Sequence, residues 1–281
     1  MAVVGTLILV LIVLYIVVGS FAVSGEKANA LNLKDKWLGP SIEYPMGTDA
    51  VGRDVLARTI YGGQISLAIA VLAVTITTIV GTMLGEIAGY YGGWIDAIIM
   101  RYTEAQLSIP LLFLLLVLSK FIGNKLPEVQ FLGSTVSGSV FVIILVLGFT
   151  SWMGLARIVR ANMLSLKQQE FVIAARAVGA RDIAIMFRHI LPNTLAPIIV
   201  SATLGISNVI LLESYVSFLG VGVQPPTASW GNMMDRALER LDTAWWLWFF
   251  PGILILLTVL SVNFIGNGIR DALDPYGDRQ R

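Results

Sequence analysis

Chemistry requires nucleophiles, acid–base pairs or metal ligands, and few of the 281 residues supply them. There is no cysteine, which excludes disulfides, thiolate metal centres and cysteine nucleophiles. The single histidine, His189, leaves no HExxH pair, and no GxxxxGK[ST] segment occurs to cradle a nucleotide phosphate. Among the ionisable residues inside apolar runs, Glu86, Arg101, Glu104 and Glu213 stand out. Such groups are expensive in hydrocarbon and are read first as functional candidates. Arg101 and Glu104 share a helical face and are expected to form an ion pair. Glu86, close to the inner end of its run, is expected to snorkel. Glu213 lies 19 residues beyond Thr194, roughly 28 Å along a helix, and is expected near the outer boundary as a structural, pathway or gate residue.

The other chemistry-bearing stretch is basic. EFVIAARAVGARDIAIMFRHILPN spans 170–193 in a chain that is otherwise greasy. Phe171, Ala174, Ala175 and Val178 recur at helical spacing, with Glu170 and Arg176 off that face. Gly179 is placed to end this helix in a left-handed conformation. A second apolar group, Ile183, Met186, Phe187 and Ile190, follows before Pro192. The pattern predicts two short helices hinged at the glycine beneath a membrane. From periodicity alone the segment is equally an interfacial element resting on anionic lipid.

The elements that carry these residues are membrane spans. The chain is 56% hydrophobic and only 13% charged, with a mean hydropathy of +0.80. Six apolar runs reach the length that crosses about 30 Å of hydrocarbon: 1–23, 64–88, 95–121, 139–159, 194–221 and 245–266. They are too long for transmembrane strands. The fold expected is an all-α polytopic membrane protein with about six transmembrane helices. Pro110 is expected to kink the third span. Trp245, Trp246, Trp248, Phe249 and Phe250 open the sixth at a headgroup boundary. The first run lacks a preceding Lys or Arg and is longer than a signal-peptide core, so it is read as a retained helix, with the natural start expected at Met1 or upstream of it.

Lys and Arg near helix ends favour the cytoplasm. With the amino terminus inside, the 19 basic residues divide ten inside to nine outside, which decides little. Their concentration is more telling. Arg157, Arg160, Lys167, Arg176, Arg181 and Arg188 face only Glu170 and Asp182 between 157 and 189, whereas the outer loops balance their charges. The basic loop and both termini are therefore expected in the cytoplasm. A net charge of +1 gives no sign of nucleic-acid binding.

AARAVGARDIAIMFRHILPN resembles the cytoplasmic loop of permease subunits of binding-protein-dependent ABC importers. The family pattern is EAA, three residues, Gly, nine residues, Ile, one residue, Leu-Pro. Ala174, Ala175, Gly179, Leu191 and Pro192 fall in register; Ile173 replaces the family's Glu and His189 its Ile. PMGTDAVGRDVLARTIYGGQISL, AGYYGGWIDAIIMR, SFLGVGVQPPTASWGNMM and NGIRDALDP are similar to the C-type permease of dipeptide, oligopeptide and nickel importers. The resemblance covers most of 45–275. It implies a coupling helix that docks on an ATP-hydrolysing subunit through Glu170, Ala174, Ala175, Arg176, Gly179, Arg188, Leu191 and Pro192. The implied partners are a second homologous permease, two ABC ATPase subunits, an extracytoplasmic substrate-binding protein and inner-membrane lipid. The implied cargo is a peptide, with nickel or another small solute as the alternative. ATP and Mg would be bound by the partners, leaving this chain a non-catalytic subunit without a cofactor.

In 45–67, Thr48 or Asp49 is expected to cap an external amphipathic helix whose face is Val51, Val55, Leu56 and Ile60, with Arg53, Asp54 and Arg58 turned to water. That helix either braces the bundle, or shapes the external mouth or meets a substrate-binding protein. Pro225 and Pro226 stop the fifth span before Trp230 and a short helix over 231–241; the resemblance implies an external gate there, and the residues alone a structural loop. The divisions expected are span 1–23, an external loop 24–63, a core 64–275 containing the coupling loop 163–193, and a cytoplasmic tail 276–281. A stand-alone transporter or channel would predict mid-membrane relay carboxylates or inverted repeats, neither of which is evident. With no cysteine and no intramembrane aspartate pair, an intramembrane enzyme is the weakest reading.

Overall fold

A computed structural model describes residues 1–122, 125–131, 134–235 and 237–273. The expected tail 276–281 lies outside the described residues. Helix α1 spans Ala2–Ala22, α2 Val55–Tyr91, α3 Gly93–Leu107, α4 Leu111–Ile122, α5 Gly138–Thr150 and α6 Met153–Leu166. Helix α7 spans Glu170–Ala177, α8 Asp182–Phe218, α9 Trp230–Met233 and α10 Trp246–Leu273. Five stretches are long and apolar enough to cross a membrane, and a sixth results if the bent pair α3 and α4 is one span. That bend is 76°, so the third run breaks around Pro110 into two helices and is not a mildly kinked one. A three-residue antiparallel pair, Val129–Phe131 with Ser134–Val136, lies between α4 and α5.

Two boundaries differ from expectation. The external amphipathic helix and the second span are one 37-residue helix, α2. Asp54 caps it: one carboxylate oxygen accepts from the Leu56 N–H at 2.9 Å and the Ala57 N–H at 3.3 Å, which satisfies two of the orphan donors of a helix start. Asp49 and Arg53 precede the helix, and Thr48 does not cap it. Likewise, the second short helix of the basic loop is the inner start of α8, joined through a π-helical turn at Ile185–Ile190. A π turn inserts an extra residue into the ladder, so the polar start and the apolar span share one continuous rod.

Helix α2 is the axis of the bundle. Gly81, Gly85 and Gly89 stand at four-residue spacing and let its backbone meet α6; a Cβ at Gly85 would come within 2.6 Å of the Ala156 carbonyl oxygen. Between membrane helices, where lipid is as apolar as leucine, such close approach supplies the packing. Helix α1 is the most lipid-exposed span, touching α10 where Gly5 lies against Ser261 and Ala2 against Gly268. The main core joins Ile16, Ile69, Ile143, Leu147, Ile210 and Val259 from α1, α2, α5, α8 and α10. The aromatic cluster is divided: Trp245, Trp248 and Phe249 are exposed, while Trp246 is buried and donates its indole N–H to the Thr48 carbonyl at 3.1 Å.

Helices α3 and α6 are joined by a bidentate pair, Arg160 to Asp96, with both contacts at 2.5 Å. Both side chains are half-buried, so removing one leaves the other without its partner. Asp96→Asn is expected to destabilise the α3–α6 contact by about 1–3 kcal/mol. A double-mutant cycle with Arg160→Met, read by thermal unfolding in detergent, checks this; independent, additive effects would show that the pair contributes nothing.

Candidate functional site

The basic loop presents two faces. The inner one packs Val172 and Ala175 of α7 with Ile185, Met186 and Ile190 of α8, Met163 of α6 and Tyr90 of α2. The outer one leaves Phe171, Ile173, Val178, Ile183 and Phe187 exposed, Val178 at 85%. The expected common face of Phe171, Ala174, Ala175 and Val178 is thus corrected: of these only Ala175 is buried, and Val172 is its partner. Helix α7 is held inward by Val172 and Ala175 and leaves Phe171 and Ile173 exposed beside Glu170 and Arg176. Exposed apolar groups on a polar loop mark an interaction surface.

Gly179 has φ +84°, the left-handed end predicted for it. Its N–H donates to the Arg176 carbonyl and the Ala180 N–H to the Ala175 carbonyl, both at 3.0 Å. These bonds close the helix end. Tethers then tie the loop to the end of α2: Tyr90 donates its hydroxyl to Asp182, Arg176 donates to the Tyr90 hydroxyl at 3.3 Å, and Lys167 donates to the Gly89 carbonyl at 2.8 Å. Glu170, Ala174, Arg188 and Pro192 are exposed, and Leu191 is half-buried. Helix α7 thus contacts both α2 and α8.

At the opposite end, the two gate candidates meet. Glu213 is fully buried and does not reach headgroup water. Its carboxyl oxygens accept from Ser217 Oγ at 2.7 Å and Ser66 Oγ at 3.1 Å. Each serine in turn accepts from the outer loop, Ser217 from the Val223 N–H at 3.0 Å and Ser66 from the Trp230 N–H at 3.2 Å. Trp230, also fully buried, donates its indole N–H to the Thr59 carbonyl at 2.9 Å. Ser229 and Asn232 form a capping box for α9, and the Asn232 amide donates to Val223 and Thr227 carbonyls. Glu213 thus pins the loop 219–234 to α2 and α8 by a two-serine relay.

A close contact completes the docking. A Cβ at Gly231 would lie 2.6 Å from both Cα and O of Ser214. Gly231→Ala is expected to displace α9 from α8 and raise amide exchange at 223–232 by about tenfold, the effect of overpacking by more than 1 kcal/mol. Unchanged exchange there would refute the tight docking.

The external acidic and basic residues brace the approach. Asp49 accepts from the Val51 and Arg53 N–H groups and pairs with the Arg53 side chain at 2.6 Å. Asp54 pairs with Lys27 at 3.0 Å. Asp54 and Arg58 are buried at 3% exposure each, correcting the expectation that they face water. Arg101 and Glu104 do form the expected pair, at 3.3 Å on an exposed surface. Glu86 does not snorkel: it is fully buried.

Ser217 stands one helical turn from Glu213, so spacing was a usable signal for it. Ser66, Tyr90 and Asp182 had no such signal, because their partners lie 92 to 147 residues away.

Residues 81–276 match the family described as the binding-protein-dependent transport system inner membrane component. A putative peptide permease protein of Brucella suis is 42% identical over 254 residues, covering 90% of this chain and 80% of that protein. The dipeptide transport system permease protein DppC of Bacillus subtilis is 39% identical over 276 residues, covering 98% and 82%. The oligopeptide transport system permease protein OppC of Haemophilus influenzae is 41% identical over 229 residues, covering 82% and 69%. Among solved structures, the MetNI methionine ABC transporter in an inward-facing form has a chain of the same fold, with TM-score 0.59 and 18% identity over 78% of this chain and 98% of that one.

Proposed function

Since the chain belongs to the family of binding-protein-dependent transport system inner membrane components, we propose that it is the C-type permease of an ATP-driven importer of di- or oligopeptides. It pairs with a second, homologous permease to enclose the route. Two ABC ATPase subunits bind ATP and Mg, and an extracytoplasmic binding protein delivers cargo. The observation that carries this reading is the two-sided α7: anchored to α2 and α8 through Val172 and Ala175, with Phe171 and Ile173 left exposed among the described residues. The names of the relatives support peptide cargo.

The mechanism follows from the rods. Docked on the outward face of α7, an ATPase subunit that closes on ATP pulls Tyr90 and Asp182 together with α7. The rigid helices α2 and α8 carry this motion to the Glu213 relay at the other end, where the loop 219–234 opens or seals the outer mouth. Coupling requires the ATPase to bind one arrangement better than the other. Ala2 lies beside Gly268 at the α7 end of the bundle, which supports placing the start of α1, the end of α10 and the basic loop together in the cytoplasm, in the cell inner membrane.

The complex purified through a tag on this chain, in lipid vesicles with its binding protein and internal ATP, is expected to accumulate labelled trialanine. Accumulation of nickel in its place would reassign the cargo. Uptake by this chain alone, without ATPase subunits, would overturn the importer reading.

A further inference from the structure

Buried polar side chains in a membrane bundle are costly unless they find partners or water. Helix α2 carries three that find no partner among the described residues: the hydroxyls of Thr78 and Thr82 and both carboxyl oxygens of Glu86. They stand at four-residue spacing, so they share one face, with Glu86 about 12 Å nearer the α7 end than Thr78. Independently, a cavity of about 330 Å³ opens between α2, α6 and α8, lined by Thr78, Ser151, Ser201 and Asn208 among apolar neighbours. Asn208 is exposed within the apolar length of α8, where an amide facing lipid would be unfavourable. Thr78 belongs to both groups. The two groups therefore meet at Thr78, and Thr82 and Glu86 continue the polar face of α2 beyond the cavity toward the inner end.

We propose that Thr78, Thr82, Glu86, Ser201 and Asn208 form this chain's wall of a hydrated transport route, in which Glu86 favours cargo bearing a positive charge. The inference rests on the importer reading. The neutral hydroxyls and amide suit a peptide main chain of any sequence, since they hydrogen-bond without discriminating side chains. Glu86, hydrated when the inner half of the route opens, supplies the one charge and favours a free amino terminus over a blocked one.

The chain has no cysteine, so an introduced cysteine is its only thiol, and labelling is read on this chain after it is separated from its partners by electrophoresis. In the tagged complex in lipid vesicles, Thr78→Cys, Ser201→Cys and Asn208→Cys are expected to react with a charged methanethiosulfonate roughly tenfold or more faster than Leu211→Cys, because only a hydrated thiolate reacts. Leu211 is 48% exposed on α8 and not part of this cavity. Excess trialanine is expected to slow the three. Glu86→Gln is expected to lower uptake of trialanine relative to N-acetyl-trialanine by about tenfold. The binding protein's own preference is common to wild type and variant and cancels in that ratio. Thiols no more reactive than Leu211→Cys, or an equal loss for both peptides, would overturn the route. In a complex that still imports peptide, those results refute the route alone; a wild-type complex that imports neither peptide refutes the reading beneath it.

Discussion

Gly179→Val is expected to abolish coupled peptide uptake while leaving the chain inserted in the membrane. The backbone at Gly179 has φ +84°, which disfavours an L-residue by about 1–2 kcal/mol and a β-branched one by more. Relaxing to negative φ breaks the two bonds that end α7, from the N–H groups of Gly179 and Ala180. Helix α7 then loses its fixed angle to α8, because only Val172 and Ala175 hold its inner face. Among the described residues, and apart from the adjoining ones in sequence, no atom lies within 4 Å of a Cβ at this site, so there conformation matters and bulk does not. Gly179→Asn, which tolerates the left-handed region, is expected to keep most of the uptake. ATP hydrolysis and peptide uptake measured on the same vesicles separate the cases. Normal coupled uptake by Gly179→Val would remove the lever idea; equal damage from Asn and Val would show that a docked partner needs the space itself.

Glu213→Gln is expected to loosen the outer loop, and Glu213→Leu to release it. Both carboxyl oxygens serve as acceptors, one for Ser217 and one for Ser66, while the serines accept from the loop backbone. A glutamine offers one acceptor oxygen and an N–H₂ group, so one serine hydroxyl loses its acceptor. Leaving a buried hydroxyl unsatisfied costs about 1–3 kcal/mol, hence roughly a tenfold or larger rise in the undocked population. Leucine removes both acceptors and is expected to do more. Proteolysis of 219–234 in vesicles and uptake at saturating binding protein measure the two consequences. Uptake and proteolysis both unchanged in Glu213→Leu would reduce the residue to filler.

Residue transfer energies and helical period are local properties, and what depends on them was legible in the amino-acid sequence. The apolar runs declared a polytopic helical protein; Gly179 declared a left-handed helix end; the spacing from Ala174 to Pro192 placed the loop in its family. Which face of α7 turns inward was not legible, because Phe171 and Val172 are both apolar and only the meeting with Met163, Ile185 and Ile190 chose Val172. The start of α2 was misplaced for a similar reason: Thr48, Asp49 and Asp54 are all competent caps. The Thr48 hydroxyl was taken up by the Leu38 N–H and the Asp35 carbonyl, and Asp49 by its own turn, which left Asp54 to begin the helix. Glu213 and Trp230 were singled out separately, and their connection waited on Ser66, a residue 147 positions from one and 164 from the other. By itself, then, the sequence determined the solvent, the rods and the hinge, since each follows from neighbours a few residues apart. Only the tertiary structure decided faces, caps and the polar relay, because several residues were chemically equivalent there and long-range packing had to choose among them.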